Sequence, residues 1–228
     1  MKKLFLIFTG VLLFTGCEVE IEKEKDANLD QIRFEEEYES VNGKELKDDK
    51  VYSSIDVISD NKVKYLDSTE TIEFLESGTG IIYFGFPECP WCRSLVPVLT
   101  EVVSDSNLDE LYYFNALDIR DVKKLEDGEI VTSKEGSDDY YKIVEILKDE
   151  LGSYKGLEDE SIKRLYFPTV VFMLDGKVNY VHTGTLDSQT SYDKELSDKQ
   201  VDELYNKLYD EVVLVDGNVC SSEVETGC

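Results

Sequence analysis

The cysteines of Cys89-Pro90-Trp91-Cys92 are the residues best suited to chemistry. Two thiols separated by two residues can close a small disulfide ring and reopen it on reduction. An apolar run at 81–86 predicts a buried strand before them, and the apolar spacing after Cys92 predicts a helix. Unpaired N–H groups and partial positive charge at a helix N-terminus favour a thiolate at Cys89, and Pro90 suits the first turn. Cys92, one turn further on, lies close enough to attack a mixed disulfide formed at Cys89.

Three other interpretations of this pair are open. Half of a zinc site would need two more thiolates or imidazoles, and the chain offers only His182, Cys220 and Cys228 for that purpose. A purely structural disulfide seldom spans a two-residue gap at the start of a helix. Buried free thiols do not suit an exported protein in an oxidising compartment. Redox chemistry is therefore the expectation, with no metal and no cofactor beyond the dithiol itself.

The overall composition limits the classes of function. The 228 residues carry 24 Lys and Arg against 50 Asp and Glu, which gives a formal net charge of −26. Binding to a phosphate backbone needs clustered basic side chains, so we expect no nucleic-acid partner. A hydrophobic content of 41% is enough for a folded core. The single histidine, His182, lies in a predicted strand, and we expect a packed or surface residue rather than a catalytic one.

The first residues predict export. Lys2 and Lys3 precede an apolar run at 4–14, which fits a signal peptide over 1–16 and is too short to span a bilayer. The following Thr15-Gly16-Cys17 resembles a bacterial lipoprotein processing site, although Phe14 stands where that signal usually has Leu. We therefore expect Cys17 to be the lipidated first residue of a protein on the extracytoplasmic face of the cell membrane. The acyl chains alone would hold it there, because the acidic body offers no polybasic patch.

The rest of the chain divides into three segments that differ in composition. Residues 17–50 are dense in charge and predict a solvated tether with some helix around 31–39. A domain at 51–215 follows, and 216–228 form a tail. Strands are predicted at 51–58, 61–65, 81–86, 111–117, 170–174 and 178–183, with the first two paired. Helices are predicted from Ser68 or Thr69 to Leu75, after Cys92, near 139–151 and from Ser197 to Tyr209. This order predicts an α/β fold with a central mixed sheet flanked by helices.

Four further features follow the two cysteines in order along the chain. They are Pro97 in the predicted helix, Phe167-Pro168-Thr169 before a strand, the Asp175-Gly176-Lys177 turn, and Gly184. Together with the cysteines they resemble the thioredoxin family over about residues 66–210. The resemblance implies a thioredoxin-like fold, here with an N-terminal extension and an inserted helical segment at about 120–165.

The resemblance also implies roles for individual residues. Cys89 becomes the nucleophile, Cys92 the resolving thiol, and Pro168 the cis-proline that shapes a substrate groove. Phe167, Trp91 and Pro90 are expected to contribute to that groove, with Trp91 exposed.

Two positions depart from the family pattern. Tyr83 stands where thioredoxins carry a buried Asp that accepts a proton, and Glu88 stands where they carry Trp. A carboxylate beside Cys89 should raise the pKa of its thiol and partly oppose the helix dipole. Both residues are therefore expected to modulate the thiol pKa values.

The chain most resembles exported Gram-positive thioredoxin-like proteins, some of which are labelled bacteriocin-transport accessory proteins. The expected activity is thiol–disulfide exchange with protein substrates, by a monomer served by an unidentified electron-transfer partner, with the direction of electron flow open. The alternative is a non-enzymatic accessory or binding module of a peptide or bacteriocin export system.

Cys220 and Cys228 form a second pair in the tail. We expect a structural disulfide between them, and the open alternatives are a regulatory or relay disulfide and free or metal-binding thiols.

Overall fold

The computed structural model describes residues 29–46 and 49–217. Within these residues the helices are α1 (29–39), α2 (Ser68–Ser77), α3 (Pro90–Ser104), α4 (Asp138–Leu147) and α5 (Asp198–Val215). The strands are β1 (Val63–Tyr65), β2 (Gly80–Phe84), β3 (Leu111–Phe114), β4 (Val122–Glu126), β5 (Glu129–Lys134), β6 (Thr169–Leu174) and β7 (Lys177–Thr183). None of the helices in these ranges is long and apolar enough to cross a membrane.

Five strands form a mixed sheet in the order β1-β3-β2-β6-β7. Strands β1 and β2 run parallel to β3, while β6 is antiparallel to β2 and β7 is antiparallel to β6. Every residue of β2 is buried, as its continuous apolar sequence predicts for a central strand. The predicted α/β class with a mixed central sheet is confirmed.

Helices cover both faces of this sheet, and the alternation along β2 separates the two cores. Ile81 and Tyr83 point to the face covered by α1, α3 and α5, whereas Ile82 and Phe84 point to the face covered by α2 and α4. The first face carries the two cysteines. The other face is built around Phe74, Ile143 and Met173.

Helix α1 corrects the prediction of a solvated tether at 17–50 and of a domain boundary at 51. Phe34 and Tyr38 are fully buried in the same core as the cysteines, and Val41 is 3% exposed. Residues 34 and 38 are four apart and share one face of the helix, while most of its remaining surface is charged. The high charge of the segment conceals this narrow apolar stripe, so 29–46 belong to the folded domain.

The predicted strand at 51–58 is also wrong. Val51 forms only an isolated bridge with Glu45, and 52–58 run without regular structure. Side chains of the preceding segment replace a strand partner: the Asn42 amide both donates to the Ile55 carbonyl at 2.9 Å and accepts from the Ile55 N–H at 3.0 Å. Strand β1 pairs with β3 instead of with this segment.

The segment at about 120–165 contains more than the predicted helix. Helix α4 lies where a helix was expected, but the antiparallel hairpin β4–β5 precedes it as a separate two-stranded sheet. Its turn holds Asp127 and Gly128 at φ 50° and 82°. An Asp-Gly pair at positive φ is a strong hairpin signal that the sequence interpretation missed here. The same signal at Asp175-Gly176 correctly predicts the β6–β7 hairpin.

Candidate active site

The segment that contains Cys89 connects the end of β2 to the start of α3. Cys89 is the N-cap of the helix, Pro90 occupies its first turn, and the Cys92 N–H donates to Cys89 Sγ at 3.2 Å. Cys89 is 5% exposed and Cys92 is fully buried, and both are free thiols. The predicted position of the pair at a strand end and a helix N-terminus is confirmed.

The surroundings of Cys89 favour its thiolate. The Cys92 thiol lowers the pKa of Cys89 by hydrogen bonding to its sulfur, and burial opposes this change. The N–H groups of Cys92 and Trp91 and the positive charge of Arg120 lower the pKa further. Cys89 is therefore the better nucleophile of the two at neutral pH.

Cys92 is shifted in the opposite direction. Burial raises its pKa well above the ordinary value, and hydrogen bonding and negative charge at Cys89 raise it further. The hydroxyl of Tyr83 opposes these effects by hydrogen bonding to the Cys92 sulfur. Cys92 is thus held as a thiol at neutral pH.

Tyr83 belongs to a buried group of hydroxyls behind the cysteines. Its Oη lies 2.8 Å from Oη of Tyr38, which α1 supplies. Gly85 leaves the space for this hydroxyl, because a Cβ at that position would lie 2.0 Å from Tyr83 Oη. Tyr83 thus influences the pKa of Cys92. Burial raises the pKa of Tyr83 itself well above the ordinary value, so it acts as a hydrogen-bond donor rather than as a base.

The Phe167–Pro168 segment approaches Cys89 from the other side. The peptide bond between these residues is cis, as the resemblance implies. The Cys89 thiol lies 3.8 Å from the Phe167 carbonyl oxygen, to which it donates, and the Pro168 carbonyl accepts from the Gly184 N–H at 2.9 Å. The hydrogen bond from Gly184, which follows β7, therefore holds the loop that faces Cys89.

A groove of about 770 Å³ opens beside this loop. Trp91 and Phe167 line it together with Tyr166, Gly184 and Leu186. Trp91 is half-buried rather than fully exposed as expected.

Pro168 is buried beneath the groove surface, and Pro90 does not line the groove. Pro90 instead lines a small separate cavity with Tyr52 and Arg93, because it faces the 51–53 segment.

Glu88 is not among the main influences on the pKa of Cys89. It is exposed, and its charge acts on Arg93 and Tyr52, whereas the main influences on Cys89 are those named above. The outcome at Cys89 is a lowered pKa, because hydrogen bonds to the sulfur and the nearby cation outweigh a carboxylate that faces solvent.

Arg93 is a contributor that the sequence interpretation missed. It directly follows Cys92 and is 2% exposed. Its guanidinium donates to the carbonyls of Tyr38 and Ser53, each at 2.7 Å, and to the side chain of Asn42. These bonds tie α3 to the end of α1 and to the irregular 52–58 segment.

Other expected sites lie elsewhere. Cys17, the signal peptide and the Cys220–Cys228 pair are outside the described residues. Within 29–46 and 49–217, no group of three or more His, Cys, Asp or Glu side chains is placed to hold a metal ion. His182 is 2% exposed and is packed on β7.

The arrangement can carry out two successive sulfur attacks, since it pairs an activated thiol at a groove with a buried second thiol within reach. Comparison with known proteins gives no matching family model and no significant match to a curated protein.

Proposed function

We propose that this chain is a thioredoxin-like thiol–disulfide oxidoreductase that acts on protein substrates through Cys89 and Cys92. The observation that carries the proposal is the placement of Cys89 Sγ, which accepts from the Cys92 N–H at a helix start and contacts the loop of a cis-proline. A parallel β1-β3-β2 unit followed by the antiparallel β6–β7 hairpin, with helices on both faces, supports the thioredoxin-like assignment.

The reaction consists of two exchanges. The Cys89 thiolate attacks one sulfur of a substrate disulfide, the substrate S–S bond breaks, and the other substrate sulfur leaves as a thiolate. Cys92, as a thiolate, then attacks Cys89 Sγ and releases the second substrate thiolate, which takes up a proton from water. The protein is oxidised and the substrate reduced by two electrons, and the reverse sequence oxidises a substrate. The reduction potential decides the direction, on a scale from about −270 mV for thioredoxin to about −120 mV for strong oxidants.

Trapping the intermediate tests this assignment. Cys92→Ala should accumulate covalent adducts between Cys89 and substrate proteins, because the second attack is lost while the first remains. Cys89→Ala is the matched control and should accumulate none. Non-reducing electrophoresis with mass spectrometry of the adducts provides the measurement. Equal adduct levels in both variants, together with full cellular function of Cys89→Ala, would favour the accessory module of an export system instead.

We further propose that the protein is held on the extracytoplasmic face of the membrane by acylation of Cys17 after cleavage at Gly16, where it serves an unidentified electron-transfer partner. The basic, apolar and small residues that follow each other over 1–17 support this location. Cys17→Ala should release the protein from the membrane fraction or block its processing, as measured by fractionation and N-terminal mass analysis. A wild-type protein that is fully soluble and begins at another residue would contradict the anchor.

The Cys220–Cys228 disulfide remains a prediction of the same oxidising location.

A further inference from the structure

Two arginines flank the cis-proline loop on aromatic supports. The Arg120 guanidinium carbon lies 4.5 Å from the ring centroid of Phe167. That of Arg164 lies 4.0 Å from the Tyr154 ring and 5.8 Å from the Tyr166 ring. Stacking on a ring face holds a guanidinium in place and leaves the N–H groups at its edge available to a ligand.

Not all N–H donors of these two guanidinium groups have a hydrogen-bond partner. Arg164 Nε is buried and has no hydrogen-bond partner, and within 29–46 and 49–217 neither arginine forms an ion pair with a carboxylate. Asp121, whose charge acts on Arg120, is 3% exposed and pairs through Oδ2 with Lys123 at 3.1 Å. A buried donor without a partner is costly, so the cluster is suited to an additional acceptor.

The charge of the cluster is opposite to that of the protein as a whole. The chain has a net charge of −26, yet Arg120 and Arg164 lie close enough that the charge of one lowers the pKa of the other. Burial is the larger cause of that lowered pKa at Arg120. Two half-buried cations side by side attract an anion.

Phe167 connects this cluster to the reacting sulfur. Its ring carries Arg120, its side chain lines the groove, and its carbonyl oxygen lies 3.8 Å from Cys89 Sγ. The groove wall includes Glu150, Lys155 and Asp187, so it has charges of both signs. A preference for anionic ligands close to the Cys89 sulfur therefore comes from the two arginines rather than from the groove as a whole.

We infer that Arg120 and Arg164 form a carboxylate-binding subsite that selects polypeptide substrates with an acidic side chain next to the reacting cysteine. The inference rests on the proposed function, because it places the bound carboxylate beside the Cys89 nucleophile. The N–H groups at the guanidinium edges donate to the carboxylate oxygens.

The test uses two cysteine peptides activated as 2-thiopyridyl disulfides, identical except for Asp or Asn next to the cysteine. Cys89 attacks the peptide sulfur, the disulfide breaks, and pyridine-2-thione leaves as a chromophore that reports the rate. The reduced full chain should react faster with the Asp peptide, after subtraction of the rate for Cys89→Ala. Arg120→Gln and Arg164→Gln should each lower the Asp/Asn rate ratio about tenfold, the effect of one charge-assisted hydrogen bond.

The Asp/Asn rate ratio separates recognition of the acidic side chain from the reactivity of the Cys89 thiolate. Loss of Arg120 changes the thiolate fraction of Cys89, but this affects both peptides equally and cancels. Arg33→Gln is the matched control, since it removes the same charge from the exposed surface of α1 and should leave the ratio unchanged.

Each remaining outcome has one meaning. Reaction of both peptides with an Asp/Asn ratio that is equal in Arg120→Gln, Arg164→Gln and Arg33→Gln would overturn the subsite and leave the oxidoreductase proposal standing. Absence of any Cys89-dependent release of pyridine-2-thione would overturn both.

Discussion

Cys89 and Cys92 are three residues apart, and their pKa values move in opposite directions because their surroundings differ. Cys89 caps the helix and receives N–H groups, whereas Cys92 lies inside the core beneath it. This asymmetry suits exchange, since one thiol must attack the substrate first and the other must wait. It also leaves Cys92 with the harder deprotonation.

The Tyr83 hydroxyl is the group placed to assist that deprotonation. It lowers the pKa of Cys92 and lies 2.8 Å from the Tyr38 hydroxyl, which can donate to it in turn. Tyr83→Phe should raise the pKa of Cys92 further and slow release of the mixed disulfide about tenfold, the value of one lost hydrogen bond. Stopped-flow decay of a preformed adduct on Cys89, followed against pH, measures both effects.

A second tyrosine provides the control for Tyr83→Phe. Tyr140 is equally buried but lies on the opposite face of the sheet, so Tyr140→Phe should leave adduct decay and its pH profile unchanged. Equal decay rates in Tyr83→Phe and the wild-type protein would show that the hydroxyl does not act on Cys92.

At the level of elements, the sequence predicted those strands, helices and turns that carry a pattern of their own. The apolar run of β2, the periodic α3 and the Asp-Gly turn between β6 and β7 were all found from the sequence, since each carries its own pattern. A helix around 31–39 was also predicted, but its packing against the core and the course of the 52–58 segment were not, because both depend on distant partners such as Arg93.

The same distinction applies within the site. The cysteines and the cis-proline loop carry recognisable motifs, whereas Arg120 and Tyr38 lie far from them in sequence. Only folding brings Arg120 to Phe167 and Tyr38 to Tyr83. No spacing rule connects these residues, so their contribution could not be read from the sequence.

Helix α1 should contribute to the stability of the whole domain. Phe34 is fully buried, and its ring centroid lies 4.6 Å from that of Tyr38 and 5.0 Å from that of Tyr113. Phe34→Ala should lower the free energy of unfolding by about 3–5 kcal/mol, the usual cost of an aromatic cavity. Leu29 is 54% exposed on the same helix, so Leu29→Ala is the control and should change stability little. Equal midpoints of chemical denaturation for the two variants would restore the tether interpretation.

The distribution of charge affects the whole molecule. A net charge of −26 keeps the protein soluble but makes the folded state repel itself. Three of the four arginines lie near the cysteine pair: Arg93 joins α3 to α1, and Arg120 and Arg164 surround the cis-proline loop.

The single histidine gives the whole molecule a specific response to acid. His182 pairs with Val170 in the sheet, and its Nε2 is buried without a hydrogen-bond partner. Burial, and next the charge of Lys207 on α5, lower its pKa from 6.5 to about 4, so the folded protein holds it neutral.

Acid should therefore destabilise the fold through this residue. The unfolded chain binds a proton at His182 below pH 6.5 and the folded protein does so only near pH 4. The stabilising contribution is fully present above pH 6.5 and is lost progressively as the pH falls to about 4, by at most about 3 kcal/mol. His182→Gln should flatten the fall in stability across this window, because glutamine does not titrate. Denaturation midpoints at half-unit pH steps measure the two slopes, and identical slopes would mean that carboxylates alone govern the acid response.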